Sequence, residues 1–393
     1  MVKKSAVFSK THRPLKILIV KHSLGNRYGG PAEDLEKFLV SEYPEAIITV
    51  QSHPLTAWST LESTTKIFTN GNLTFQKVTA RKIRGQARHL LDLFFGPKRT
   101  EYDVVFGFNS FAVLLGILSC KNQDAKFVAW GVDFVPHNHR VGPLNFLLNL
   151  LQRWLSRRIN VRVENTKVAL EERDKASPLS PSAHSYVVPI GVWRKDFEIA
   201  SNLQSKTLNK LLYLGSINER TGIPLLVEAL HELNQMNIDF TCDVVGDGPL
   251  LDWLKDQILI MELEEKVFVH GYLPDYPETK ELLSNSSIGL APFSAEAGSF
   301  TFFTDPQKIR RYLSSGLVAV CSNVPPIARE LSSNSGLVSI SSNETAEAWA
   351  KTIAGLLSNP EELLSLQNAA LDFSETFENS YLFEKLTKEI FGT

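Results

Sequence analysis

Residues 210–222, KLLYLGSINERTG, place a short apolar run directly before a polar loop that lies between two glycines. The run predicts a β-strand, and the pattern after the second glycine predicts a helix. A strand that ends in a glycine turn before a helix offers an anion backbone N–H groups and the positive end of the helix dipole. The stretch therefore predicts the first βα unit of an α/β domain, with a candidate ligand site in its loop.

The same alternation of strand and helix patterns continues through the second half of the chain. The predicted strands are 210–214, 240–245, 266–270, 287–291 and 317–321, and the predicted helices are 224–236, 249–260, 276–284 and 306–314, with a helical tail over 360–391. Strands that alternate with helices favour βαβ units and an open parallel sheet.

The first half alternates in the same way. Residues 15–21, LKILIVK, form the nearly continuous apolar run that is typical of a parallel strand covered on both faces. Further strands are predicted at 46–51, 75–78, 103–106, 126–130 and 186–189, and helices at 32–41, 83–95, 110–119 and 144–158. The polar, weakly periodic stretch 191–209 is typical of a linker. We therefore expect two doubly wound α/β domains in tandem, 1–195 and 196–375.

The composition excludes several classes of protein. The chain has 393 residues, of which 43% are hydrophobic and 21% charged, so it is neither disordered, collagen-like nor a disulfide framework. No apolar run approaches the ~20 residues of a membrane span, and the first residues lack the apolar stretch of a secretory signal. The three cysteines lie far apart without metal-ligand spacing, which predicts buried thiols in a reducing compartment. We expect a cytoplasmic protein.

Charge is distributed unevenly along the chain. Residues 1–190 carry 26 Lys and Arg against 15 Asp and Glu, whereas the remainder carries 15 against 28. The imbalance indicates two domains that face different surroundings. Two basic stretches of the first half, 81–99 and 144–158, also contain apolar runs. They either lie on an anionic membrane surface or pack their apolar faces into the core and expose their arginines. No nucleic-acid module is present, so nucleic acid is not expected as a partner.

Ligands of open α/β sheets bind beyond the carboxyl ends of the strands. In the second half, four loops of small or polar residues would lie at one edge of the sheet. These loops are 214–222, 244–249, 270–272 and 291–293. Each alone is more often structural, but together they favour a nucleotide-sized ligand. In the first half, 22–31 reads HSLGNRYGGP. This loop is neither G-x-G-x-x-G nor a Walker A loop, so dehydrogenase and ATPase functions lose support. Its alternatives are an anion site and an ordinary glycine turn.

The stretch 304–316, TDPQKIRRYLSSG, predicts a helix that begins near Pro306 and ends at Gly316. Lys308 would lie in the first turn, where a cation opposes the helix dipole. This position is explained if Lys308 faces a bound phosphate. The alternative is a solvated basic face shared with Arg310 and Arg311.

In their order and spacing, these segments resemble the retaining glycosyltransferases of the GT-B fold, family 4. The resemblance covers most of 185–375 and is fainter over 15–175. It rests on five segments, which are 188–192, 211–222, 244–249, 268–273 and 305–316. It implies two Rossmann-like domains that face each other across a cleft. The second would bind a nucleotide-diphosphate sugar and the first a glycan or lipid-linked acceptor, and a C-terminal helix within 376–393 would cross back to the first domain.

The resemblance also implies roles for single residues. The implied donor-binding residues are Gly215, Ser216, Arg220, Thr221, Gly246, Gly248, Gly271, Tyr272, Leu273, Thr304, Asp305, Lys308 and Arg311. The implied acceptor and diphosphate loop contains Gly29, Gly30 and His137. Asp133, in a loop after a predicted strand, is the leading catalytic candidate, and a buried capping aspartate is its alternative.

This chain also departs from the family's pattern. The usual arginine and lysine after the first strand of the second domain are Ser216 and Thr221 here, and Arg220 is the nearest cation. The family's paired glutamates fall on Phe303 and Arg311. Glu296 is the candidate carboxylate in their place, and we count it among the predicted catalytic residues.

The resemblance implies a hexosyltransferase of polysaccharide biosynthesis that works without a metal ion or a cofactor, using the nucleotide sugar as co-substrate. Positive charge and helix dipoles would stabilise the departing diphosphate, and the acceptor hydroxyl would enter on the same face. Two alternatives remain. One is a nucleotide-sugar epimerase of the same fold, and the other is a degenerate GT-B protein that binds or scaffolds without transfer.

Overall fold

The chain forms two α/β units, each built around its own sheet. The computed structural model describes residues 13–23, 29–54, 61–80, 83, 99–132, 134, 143–197, 203, 206–273, 276–295, 300–331 and 335–392. The first unit takes the chain up to Pro189 and again from Asn379, and the second takes Ile190–Glu378. Within the described residues, no helix combines the length and the apolar character that crossing a membrane requires.

Among the described residues, the first unit contains eight strands and, before the second unit in sequence, four helices. The strands are β1 (Lys16–Ser23), β2 (Ile47–Pro54), β3 (Glu62–Thr69), β4 (Asn72–Ala80), β5 (Val104–Phe108), β6 (Lys126–Gly131), β7 (Val161–Glu164) and β8 (His184–Val187). The helices are α1 (Pro31–Glu42), α2 (Ser110–Ser119), α3 (Pro143–Ser156) and α4 (Lys167–Ala176). The sheet order is β4-β3-β2-β1-β5-β6-β7-β8. Because β1 is followed in sequence by β2 on one side and the chain later returns to its other side, the carboxyl end of β1 is the switch point of this sheet.

Strands β3 and β4 form an antiparallel hairpin at the sheet edge, where we predicted only one strand, 75–78, in a parallel sheet. Asn70 and Gly71 form its two-residue turn, with φ of 52° and 71°, and Thr69 pairs with Asn72 across it. Two positive φ angles give the type I′ turn that matches the twist of a hairpin. Asn-Gly is the strongest short hairpin signal, so the hairpin could have been predicted from the sequence.

The second unit has a six-stranded sheet in which all neighbours are parallel. Its strands are β9 (Lys210–Leu214), β10 (Thr241–Val245), β11 (Val267–Gly271), β12 (Ile288–Ala291), β13 (Val318–Ser322) and β14 (Leu337–Ile340). Its helices are α5 (Ile223–Gln235), α6 (Leu251–Ile260), α7 (Tyr276–Asn285), α8 (Gln307–Ser314), α9 (Pro326–Glu330), α10 (Ala346–Ser358) and α11 (Pro360–Ser374). The order β11-β10-β9-β12-β13-β14 is the 3-2-1-4-5-6 order of dinucleotide-binding folds, with β9 at the switch point.

A last helix, α12 (Asn379–Phe391), packs in the first unit, as predicted. The ring of Phe383 lies 5.5 Å from that of Phe38 and 6.1 Å from that of Trp130, between centroids. Lys126 Nζ donates a hydrogen bond of 2.5 Å to the carbonyl of Ile390. The end of the chain therefore completes the core of the unit in which the chain begins.

Some elements differ from the sequence prediction. Strands β7 and β14 and helices α4, α9 and α10 were not predicted. Of these, β7, β14 and α9 have only four or five residues, which are too few for a periodic pattern to show. Residues 84–95 of the predicted helix 83–95 lie outside the described residues. Within the predicted linker, Val192 N donates to Phe377 O at 3.0 Å and Arg194 N to Glu378 Oε2 at 2.8 Å. The start of that stretch is therefore bound to the end of the second unit.

Candidate functional site

Two glycine loops meet at the carboxyl edge of the second sheet. Gly215 follows β9 with a φ of +139°, and its N–H donates to Val245 O at 2.9 Å. A Cβ on Gly246 would lie 1.8 Å from Gly215 O, and one on Gly248 would lie 2.2 Å from Ile217 O. These two predicted donor-binding glycines therefore let the loop after β10 pack against the backbone of the loop after β9.

The ammonium of Lys308 lies directly beneath the Gly215 turn. A Cβ on Gly215 would be 2.9 Å from both Cε and Nζ of Lys308. Nζ lies 3.9 Å from the ring centroid of Tyr213 and 5.1 Å from that of Phe293. In the described part of the chain, this buried nitrogen has no hydrogen-bond acceptor. The structure therefore places the Lys308 ammonium beneath the turn that follows the switch-point strand β9, and its contact with a phosphate stays a prediction.

The surroundings of Lys308 change its acidity. Burial lowers the pKa of its ammonium to about 7, and Cys321 has a smaller effect in the opposite direction. Burying a cation without a counter-ion is costly. The faces of two aromatic rings offset part of that cost, because they are negative. What the arrangement can do chemically is attract an anion to the loop after β9.

Ser216 and Thr221 shape this loop. The carbonyl of Ser216 accepts from the hydroxyls of Tyr213 at 2.7 Å and of Thr221 at 2.6 Å, while the residue itself is exposed. Thr221 N in turn donates to Asn218 Oδ1 at 3.1 Å. Arg220 is exposed, and its guanidinium carbon lies 4.7 Å from the ring centroid of Phe300. Thr221 therefore braces the loop, and Ser216 and Arg220 lie on its outer side.

Asp305 is engaged within the second unit. Its Oδ2 accepts from Ile190 N at 2.9 Å and from Arg310 Nη2 at 2.9 Å, and its Oδ1 accepts from Arg310 Nε at 3.2 Å. Arg310 is only 7% exposed and lies over the ring of Phe377, 4.6 Å from its centroid. The predicted solvated basic face is therefore wrong for Arg310, since it pairs with Asp305 inside the protein.

The other predicted donor-binding residues lie around the same edge. Gly271 ends β11 with a φ of +70° and open space where a Cβ would be. Tyr272 beside it is exposed, and three further residues are half-buried. These three are Leu273, Thr304 and Arg311. Glu296 lies outside the described residues.

In the first unit, Gly29 and Gly30 precede α1. Gly30 N donates to Glu33 Oε2 at 3.1 Å, so one of the first N–H groups is satisfied by the helix's own glutamate. A Cβ on Gly29 would lie 3.3 Å from that of Glu33. His137 and Asp133 lie outside the described residues.

The first sheet brings together three polar residues that we did not predict as site residues. His22 ends β1 and pairs in register with His53 of β2, and Asn109 follows β5. The side-chain amide of Asn109 donates to Nε2 of His22. Burial lowers the pKa of His22 to about 4, and the nearby His53 contributes a smaller effect in the same direction. This cluster lies at the switch point of the sheet.

Asn109 has an unusual backbone conformation. Its φ is 87° and its ψ 169°, while its side chain caps α2 by accepting from Phe111 N at 2.9 Å and Ala112 N at 3.1 Å. This region of backbone space is nearly confined to glycine, and such strain concentrates at functional sites. His22 lay within the quoted loop 22–31, but only the strand register shows that His53 and Asn109 join it.

Among the described residues, no group of three or more His, Cys, Asp or Glu side chains could hold a metal ion. Cys120, Cys242 and Cys321 are buried and free of disulfide bonds.

Residues 194–372 match the family model described as glycosyl transferases group 1. The second unit is therefore similar to this family, and the chain has the GT-B fold. The predicted resemblance to GT-B glycosyltransferases is confirmed, while membership of family 4 in particular stays a prediction. Comparison of the sequence with curated proteins gives no significant match.

Solved structures agree with this fold over nearly the whole chain. Alr3699/HepE of Anabaena in complex with UDP-glucose has a TM-score of 0.69 at 14% identity, with 96% of this chain and 100% of that chain covered. Sucrose-phosphate synthase of Thermosynechococcus elongatus has 0.68 at 11% identity, covering 96% and 99%. A glycosyltransferase of Rickettsia africae has 0.66 at 16% identity, covering 96% and 99%.

Proposed function

We propose that this protein transfers a sugar from a nucleoside-diphosphate sugar to an acceptor hydroxyl. The observation that carries the proposal is the buried Lys308 ammonium, which lacks an acceptor among the described residues and lies under the Gly215 turn. The match of residues 194–372 to the model of glycosyl transferases group 1 supports the reaction class. The UDP-glucose complex of HepE supports a nucleotide sugar as donor.

In this proposal the diphosphate lies at the carboxyl end of β9. Lys308 reaches it past Gly215, where a side chain would block the path, and Ser216 and Arg220 line the outer side of the loop. A cation held in place before the reaction stabilises the negative charge that develops on the departing diphosphate. Tyr272 and Leu273 would border the base, and Thr304 and Arg311 the sugar side.

The finer parts of the proposal follow the family resemblance. The transfer would be of a hexose, retain the anomeric configuration and need no metal ion, with acceptor entry on the face that the diphosphate leaves. The acceptor would be a glycan or a lipid-linked sugar bound by the first unit near Gly29 and Gly30. Asp133 and Glu296 are the proposed carboxylates at the reacting centre. We expect the enzyme to act in polysaccharide biosynthesis in the cytoplasm.

Titration calorimetry with a panel of nucleotide sugars tests the donor site. We expect Lys308→Ala to weaken binding of the best donor more than tenfold, because the charge that faces the diphosphate is removed. Lys255→Ala is the matched control, since Lys255 is exposed on α6 and should leave the affinity unchanged. Equal affinities of Lys308→Ala and the natural protein would exclude Lys308 from the donor site.

Product analysis separates the alternatives. Transfer releases the nucleoside diphosphate in step with glycosylated acceptor, whereas an epimerase converts the donor without an acceptor. Donor binding with neither reaction would support a scaffold protein.

A further inference from the structure

Helix α3 has apolar side chains on two different faces. On the inner face, Leu155 is 4% exposed and packs in a cluster with Val113 and Ile159. On the outer face, Phe146 is 64% exposed, Leu150 45% and Trp154 38%. These three recur every fourth residue, so they form one stripe along the helix surface. The alternative drawn from the sequence, in which the apolar residues of 144–158 pack into the core, is therefore wrong for these three side chains.

Arginines surround the C-terminal end of the stripe. Arg153, Arg157 and Arg158 are all exposed. The guanidinium carbon of Arg158 lies 3.8 Å from the ring centroid of Trp154, so the cation and the aromatic ring share one surface. No aspartate or glutamate occurs from 134 to 163. We call the stripe and its three arginines the α3 surface.

We propose that the α3 surface docks on an anionic lipid bilayer. An apolar stripe of Phe, Leu and Trp beside arginines is the composition of a helix that lies in the plane of a membrane interface. Tryptophan prefers the headgroup level, and arginine keeps its charge in contact with headgroups while its stem covers apolar surface. We expect a negatively charged partner, because the α3 surface is basic and residues 134–163 contain no aspartate or glutamate to balance its arginines.

A bilayer fits this surface better than an acidic protein does. Helix α3 spans 14 residues, so the stripe is short and offers little area for the shape complementarity that a protein ligand needs. A fluid bilayer needs no such complementarity. This proposal does not depend on the proposed sugar transfer, since it concerns membrane binding by the first unit and not donor binding by the second.

Vesicle flotation of the full chain tests the proposal directly. Phosphatidylcholine vesicles with phosphatidylglycerol should bind the protein, and vesicles of phosphatidylcholine alone should bind it at least tenfold more weakly. Phe146→Ser with Leu150→Ser should lower binding to the anionic vesicles at least tenfold. Arg157→Gln with Arg158→Gln should lower it by a similar factor and reduce its dependence on salt.

A matched control is available in the second unit. Leu259 and Ile260 of α6 are 62% and 71% exposed, so Leu259→Ser with Ile260→Ser removes exposed apolar surface elsewhere. This variant should bind vesicles like the natural protein. Circular dichroism of each variant confirms that it is folded, and donor binding measured without vesicles should be unchanged in all of them.

Lipids brominated in their acyl chains provide a second readout. They should quench part of the tryptophan emission of the vesicle-bound protein, and Trp154→Phe should lose most of that quenching while still binding. Absence of binding to anionic vesicles, equal binding by the α3 variants, or a matching loss in the α6 control would each overturn the proposal. Capture of an acidic protein by the α3 surface without any vesicle binding would overturn it as well.

Discussion

Lys308 should make donor binding depend on pH. Its ammonium has a pKa of about 7 in the free protein, and a bound diphosphate raises that pKa because it is an opposite charge. Only the charged form attracts the donor, so we expect Kd to be nearly constant below pH 7 and to increase as the pH rises above it. The increase approaches about tenfold per pH unit until the pKa of the complex is reached.

Calorimetry from about pH 6 to pH 9 measures this dependence. The diphosphate of a nucleotide sugar is esterified at both ends, so its charge does not change in this range. Lys308→Met, in which nothing titrates at this position, is the control and should give a flat, weaker profile. A flat profile for the natural protein would contradict the linkage.

At the scale of residues, the sequence identified types of side chain but not their partners. Lys308 could be selected from sequence because a lysine in a first helical turn opposes the dipole. Asp305 and Thr221 were selected only through the family resemblance, and their polar atoms are held by Arg310 and by Ser216 O. His22, His53 and Asn109 meet only through strand register, which a single sequence does not show.

At the scale of elements, the pair of Asp305 and Arg310 fixes the entry of α8. Both side chains are buried, and Asp305 also accepts from Ile190 N. Asp305→Ala leaves the Arg310 cation buried without its partner, so we expect the free energy of unfolding to fall by about 3–5 kcal/mol. Asp305→Leu combined with Arg310→Met removes both charges and should recover much of the loss. Urea denaturation measures both, and equal losses in the two variants would contradict the argument.

Two glycines should respond in opposite ways to the same substitution. A Cβ on Gly248 would lie 2.2 Å from Ile217 O, whereas a Cβ on Gly355 of α10 meets nothing within 4 Å. We therefore expect Gly248→Ala to destabilise the second unit by about 1–3 kcal/mol. Gly355→Ala should stabilise it by about 0.5–1 kcal/mol, since alanine favours a helix interior. Thermal unfolding of the two variants compares them, and a stabilising Gly248→Ala would contradict the packing of the two loops.

The alternating patterns predicted most elements of the second unit, because strands buried on both faces are continuous apolar runs. The first unit differs from the sequence prediction at the β3–β4 hairpin, because strand β4 is largely exposed. An exposed edge strand has little apolar pattern, so its evidence lay in the Asn70-Gly71 turn instead. Short strands such as β7, with four residues, offer too few positions for a period to show.

At the scale of the whole molecule, the chain leaves the first unit at Pro189 and returns to it at Asn379. The resemblance predicted this return, but no local pattern in 379–391 says which core its apolar residues join. The basic first unit and acidic second unit were also visible in sequence, since charge needs only counting. Each unit has its own sheet and core, so each should unfold with its own stability.

Phe383 tests whether α12 stabilises the first unit alone. It is 2% exposed and contacts the rings of Phe38 and Trp130, so Phe383→Ala leaves a cavity and should cost about 3–5 kcal/mol. Calorimetric unfolding should show one transition move to lower temperature while the other stays. Saturating nucleotide sugar should raise only the transition that stays, because ligand binding stabilises the unit that holds the ligand. A single transition that Phe383→Ala and the ligand shift together would mean that the two units unfold as one.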